Sequence, residues 1–154
     1  MRIAFSALVF ALGFFSLVAE TLVFRDFLSA LEGSEIAVGA FFGTWLVWVA
    51  VGALAGHLLG RRLGTGKALA AAALLYVPAF ALQVVLIAEA RSLAGATVYD
   101  VLALSRLLPL SLLVNAPVSI LTGFLFTSAC RAAASEGGLP VARVYVLECL
   151  GGFA

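Results

Sequence analysis

Long apolar runs separated by short polar connections set the pattern of this chain. The first runs from Ile3 to Phe24, with Glu20 interrupting its far end. The second, from Ile36 to Leu59, carries no formal charge, and His57 is its one strongly polar side chain. As a helix it is roughly 36 Å long, enough to cross a hydrocarbon layer of about 30 Å with some tilt. A third run covers Ala68 to Ala88 around Pro78, and a fourth Leu107 to Ala129, with Pro109 in its first turn and Asn115 and Pro117 near its middle. A fifth begins at Pro140 and stops at Ala154, too short to span. The pattern predicts helices over 3–24, 36–59, 68–88, 107–129 and 140–154. Pro78 and Pro117 are expected to kink theirs. The segment from Val98 to Arg106 is a candidate short interfacial helix.

The fold class expected is therefore an all-α polytopic transmembrane bundle of about five helices, the last cut off. Residues 1–154 form one transmembrane domain, read as the N-terminal part of a longer protein. Composition agrees. Hydrophobic residues make up 64% and charged residues 11%, against about 25% charged in a soluble domain. Mean hydropathy is +1.19. A net charge of +1 gives no reason to expect a nucleic-acid partner. The first run is too long for a signal-peptide core and ends without a good cleavage site, so it reads as an uncleaved helix.

Charge matters through its distribution. Arg2, Arg61, Arg62, Lys67, Arg131 and Arg143 fall on one side of the predicted bundle, opposed by Glu136. Arg25, Arg91 and Arg106 fall on the other, with Asp26, Glu32, Glu35, Glu89 and Asp100. Basic residues are retained in the cytoplasm, so the N-terminus is expected inside.

Within the apolar runs a few residues break the pattern. Gly52, Gly56 and Gly60 make a repeat of small residues on which another helix can pack closely. Trp45 and Trp48 lie too far from the helix end for an interfacial anchor and are expected to pack between helices or face lipid. Glu20 and Glu148 are carboxylates inside membrane helices, and such groups are functional candidates by default. Glu20 reaches the interface or pairs with Arg25. Glu148 is either protonated or meets Arg143, His57, Asn115 or a polar group on another helix. His57 suits a hydrogen-bonding role at the cytoplasmic edge. No His, Cys or Asp stands at metal-ligand spacing to it, so no metal is expected. Cys130 and Cys149 read as small buried hydrophobes. No phosphate loop, nucleophile elbow or Ser/His/Asp set is present, and neither catalytic residues nor a cofactor is assigned.

Three stretches carry a resemblance. Ser16 to Gly56 holds Glu20 followed by Arg25; the proline- and glycine-bearing fourth helix comes next; then V-A-R-V-Y-V-L-E-C-L-G-G-F-A supplies Arg143, Tyr145, Glu148 and Gly151. Together they resemble the membrane region of bacterial membrane-bound spermidine-synthase-like proteins, in which a transporter-like domain is fused to a polyamine-synthase-like domain. The resemblance implies a multi-pass domain of the bacterial inner membrane, half of a transporter-type bundle, that anchors the synthase-like domain or passes a polyamine substrate to it. Any aminopropyltransferase-like activity would lie beyond residue 154. The loop G-A-L-A-G-H-L-L-G-R-R also loosely resembles one in major-facilitator transporters, without that loop's usual Asp. The alternative reading is a structural subunit of a larger membrane complex. Its partners, besides the bilayer, are further transmembrane helices, in cis or from other subunits, packed on the second helix's glycines.

Overall fold

A computed structural model describes residues 2–31, 34–96, 102–135 and 141–154. Arg2, Arg61 and Arg62 are described through their backbone. Glu32, Gly33, Val98, Asp100, Glu136 and Pro140, which entered the charge and boundary expectations above, lie outside the described residues. The chain is an all-α bundle of α1 (Arg2–Ala30), α2 (Glu35–Leu63), α3 (Thr65–Ala88), the short α4 (Ala90–Leu93), α5 (Leu104–Ser135) and α6 (Val141–Gly152). Among the described residues, four helices are long and apolar enough to cross a membrane: Phe5–Ala30, Glu35–Gly60, Gly66–Ala88 and Leu104–Ser135. These are the features of a multi-pass membrane protein. Large side chains such as Leu46, Leu54, Leu74 and Val77 point outward, as lipid-facing positions do.

Several helices run further than hydropathy suggests. α1 continues past Phe24 to Ala30 because Ala19, Val23, Phe27 and Leu31 keep a four-residue spacing and stay buried, while Arg25 is exposed on the other side. α2 begins under a Ser34 cap, whose Oγ accepts the Ala37 N–H at 3.1 Å. It continues through Arg61 and Arg62, both good helix formers. The glycine-rich connection then shrinks to Gly64, whose φ of 76° suits a residue without Cβ. α5 starts at Leu104, where the Ala103 carbonyl accepts the N–H groups of Arg106 and Leu107. Pro109 therefore lies beyond the first turn, and Leu104 to Arg106 open a long helix instead of closing a separate interfacial one.

Consecutive long helices run in alternating directions. α2 and α5 are parallel: Asn115 meets Phe41 and Thr44 near their starts, and Arg131 meets His57 near their ends. α3 runs against α5, pairing Gln83 with Val118 and Tyr76 with Thr122. α1 and α6 are also parallel, with Val9 and Val144 in one cluster and Leu17 and Gly152 further along.

The tightest contacts join helices distant in sequence, and both use glycine in the same way. In α2/α5, a Cβ on Gly52 would fall on the Ile120 carbonyl and one on Gly123 on the Val49 carbonyl. In α1/α6, a Cβ on Gly13 would fall on the Glu148 carbonyl and one on Gly151 on the Phe10 carbonyl. Each carbonyl belongs to the residue three positions before the partner glycine. Exchanging α1 with α5 and α2 with α6, helices of opposite direction, carries one arrangement into the other.

Two apolar cores fill the bundle. One holds Val23, Phe27, Phe41, Trp45, Ile87, Leu107 and Val114, towards the end where α1 finishes and α2 begins. The other holds Val9, Leu69, Ala72, Leu125, Ala129 and Val144, towards the opposite end. Tyr76 packs against both.

Candidate functional site

At the level of Tyr76, between the two cores, the interior turns polar. Glu20 and Ser16 come from α1, Tyr76 from α3, Thr122 from α5, and Glu148 and Cys149 from α6. Ser16, Glu20, Thr122, Glu148 and Cys149 line one cleft of about 320 Å³, with Gly13, Leu17, Gly152 and Phe153 completing its walls. Both carboxylates are half-buried.

Sequence and packing together account for this convergence. Ser16 and Glu20 are one turn apart and share a face of α1. Gly13, one turn before Ser16, is the notch into which the backbone at Glu148 fits. The close approach of α1 and α6 therefore brings Glu148 beside Ser16 and Glu20. Tyr76 adjoins two of the lining residues, Thr122 and Ser16. Its hydroxyl lies 3.2 Å from Thr122 Oγ1, and Ser16 stands beside the same phenol. Glu148 also borders a small void of about 10 Å³ among Val9, Leu12, Leu125 and Val144. Among the described residues, neither Glu20 nor Glu148 has a hydrogen-bonding or ion-pairing partner. A carboxylate in such surroundings favours a proton or a cationic partner, because an apolar medium penalises an uncompensated charge.

The other sequence candidates lie elsewhere. Arg25 pairs with its neighbour Asp26 at 3.1 Å and not with Glu20. Arg143 is exposed on α6. His57 is exposed, and its carbonyl accepts from Arg131 Nη1 at 2.7 Å. Asn115 is fully buried but faces α2, where its Nδ2 donates to the Phe41 carbonyl at 3.1 Å and to Thr44 Oγ1 at 2.8 Å. None of the three groups suggested for Glu148 therefore meets it. Gly52 and Gly56 face the backbone of α5, and Gly60 faces the Arg131 side chain. Trp45 is buried and stacks on Phe41, and Trp48 Nε1 donates to the Leu112 carbonyl at 2.7 Å. Both cysteines are free and half-buried. Among the described residues no His, Cys, Asp and Glu group is arranged to hold a metal.

Sequence reasoning missed Ser16, Tyr76 and Thr122. Tyr76 alone offered a signal, as a polar-tipped aromatic in the middle of a span, away from the interface where such residues concentrate. No protein-family model, curated protein or solved structure matches the chain.

Proposed function

We propose that this chain is the membrane domain of a spermidine-synthase-like protein and that its α1–α6 cleft receives an organic amine cation, in the manner of a transporter. In this reading the domain sits in the bacterial cytoplasmic membrane with its N-terminus inside. It serves a synthase-like domain on the cytoplasmic side. The observation that carries the proposal is the pairing of Glu20 and Glu148 on one cleft midway between the two apolar cores. Two acids on a largely apolar wall suit a chain of methylenes carrying ammonium groups, since each charge meets a carboxylate while the carbon segments stay dry. The matching glycine contacts of α1/α6 and α2/α5 add support, because many transporters place substrate at the interface of inverted repeats.

Uptake of labelled spermidine into proteoliposomes carrying the full-length protein tests the proposal. Uptake should fall strongly in Glu20→Gln and Glu148→Gln, with assembly intact. A well-folded protein that takes up nothing would reduce the domain to an anchor. The alternative of a structural subunit has less to stand on: the second-helix glycines it would offer to partners, Gly52, Gly56 and Gly60, already face α5 of the same chain.

A further inference from the structure

Gln83 is the most deeply buried large polar side chain of α3, with no exposed surface. It lies in a membrane span, where an amide side chain is kept out of apolar contact only by hydrogen bonding. Its Oε1 accepts the backbone N–H of Val118 at 2.9 Å, and its Nε2 has no partner among the described residues. Val118 directly follows Pro117, inside α5. A proline in a helix removes one donor, and its ring pushes on the carbonyl of the preceding turn, so the ladder opens there. Side chains that insert into an opened ladder fix a bend, and in membranes neighbouring helices satisfy the freed groups.

Side-chain hydrogen bonds on the two sides of Pro117 reach different helices, although Ile120 and Gly123 beyond it also pack on α2. Before it, Asn115 is tied to Phe41 and Thr44 of α2. After it, Val118 is tied to Gln83 of α3, and one turn further on Thr122 meets Tyr76, also of α3. Thr122 lines the carboxylate cleft.

We infer that Gln83 is a positioning residue, a latch that offers from α3 an acceptor to the Val118 N–H at the Pro117 break. It thereby ties α5 to α3 one turn before Thr122, which lines the cleft wall. The latch does not depend on what the cleft binds.

Hydrogen–deuterium exchange of the Val118 amide, on the whole protein in detergent micelles, tests it. The variants are Gln83→Met, Pro117→Ala and the two combined. Methionine fills similar space without the acceptor. Gln83→Met should speed exchange at Val118 by about tenfold, the order expected for one lost hydrogen bond. With Pro117→Ala the helix can close its own ladder, and adding Gln83→Met should then change exchange by less than roughly twofold. A rise of equal size in both backgrounds, or no rise with Pro117 present, overturns the latch. Should Gln83→Met fail to fold, recovery of folding in the combined variant supports the latch, and failure in both backgrounds overturns it.

Discussion

Gly52 and Gly123 make the contact between α2 and α5 a backbone-to-backbone one, and a single methyl group at either position tests how much rests on it. The Cβ of Gly52→Ala would sit on the Ile120 carbonyl oxygen, whereas a carbon needs about 3.5 Å to a non-bonded heavy atom. The obstacle is main chain in mid-helix, so no rotamer change relieves it, and the two helices must separate. Overpacking of this kind costs about 1–3 kcal/mol, while the better helix propensity of alanine returns up to about 1 kcal/mol. A net loss of about 1–2 kcal/mol is expected. Gly39→Ala and Gly43→Ala are the internal controls. They lie on the same helix, and among the described residues a Cβ at either meets nothing within 4 Å. They should gain up to about 1 kcal/mol from propensity alone. Gly56→Ala, at 3.0 Å from the Phe124 carbonyl, should fall between. Gly123→Ala should resemble Gly52→Ala. Because the separation that admits one methyl makes room for the other, the double variant should lose clearly less than the sum. Reversible SDS-induced unfolding in mixed micelles, followed by circular dichroism, reads these differences. If Gly52→Ala proved as stable as Gly39→Ala, the packing argument for α2 and α5 would be refuted.

Three further outcomes follow from individual bonds. Trp48→Phe removes the donor to the Leu112 carbonyl and should cost about 0.6 kcal/mol, the average for an interhelical hydrogen bond in a membrane, in the same unfolding assay; an unchanged midpoint would mean that water or another donor takes its place. Asn115→Leu, of similar size, loses both bonds to α2 and should approach the upper end of such values, about 1.7 kcal/mol; a stabilised variant would show that the buried amide, whose Oδ1 is unpartnered among the described residues, is a net burden. Ser34→Ala removes the cap of α2 and should cost about 1 kcal/mol, with fraying at Glu35 to Ala37 visible as faster amide exchange; equal exchange would count against the cap.

Much of the architecture was legible because lipid demands long apolar helices, and hydropathy registers that demand directly. It registers their ends poorly. Arg25 looks like the end of α1, yet a charged side chain on the outer face does not stop a helix whose Val23, Phe27 and Leu31 still pack inward. The site was half legible. Glu20 and Glu148 stand out because charge in an apolar run is conspicuous, but their partners depended on which helices touch. The deciding residues are Gly13 and Gly151, silent in a hydropathy profile, which bring α6 onto α1. Gln83 is one amide in a long apolar stretch and gives no signal of its own. Its meaning depends on Pro117, which only the tertiary structure brings beside it.

The pairing of α1 with α6 bears on how the protein is made. During synthesis α1 leaves the ribosome well before α6, the helix it fits most closely. Until then its Gly13 groove has only lipid, or helices already inserted, to rest against. Until α6 arrives α1 must therefore hold its place in the bilayer largely by apolarity, which a mean hydropathy of 2.2 over its most apolar 18 residues makes feasible. Nascent chains halted ahead of Val141 should leave a photoreactive lipid free to label a probe at position 13, and longer chains should shield it. Shielding in the shorter chains would show that the groove is occupied before α6 arrives.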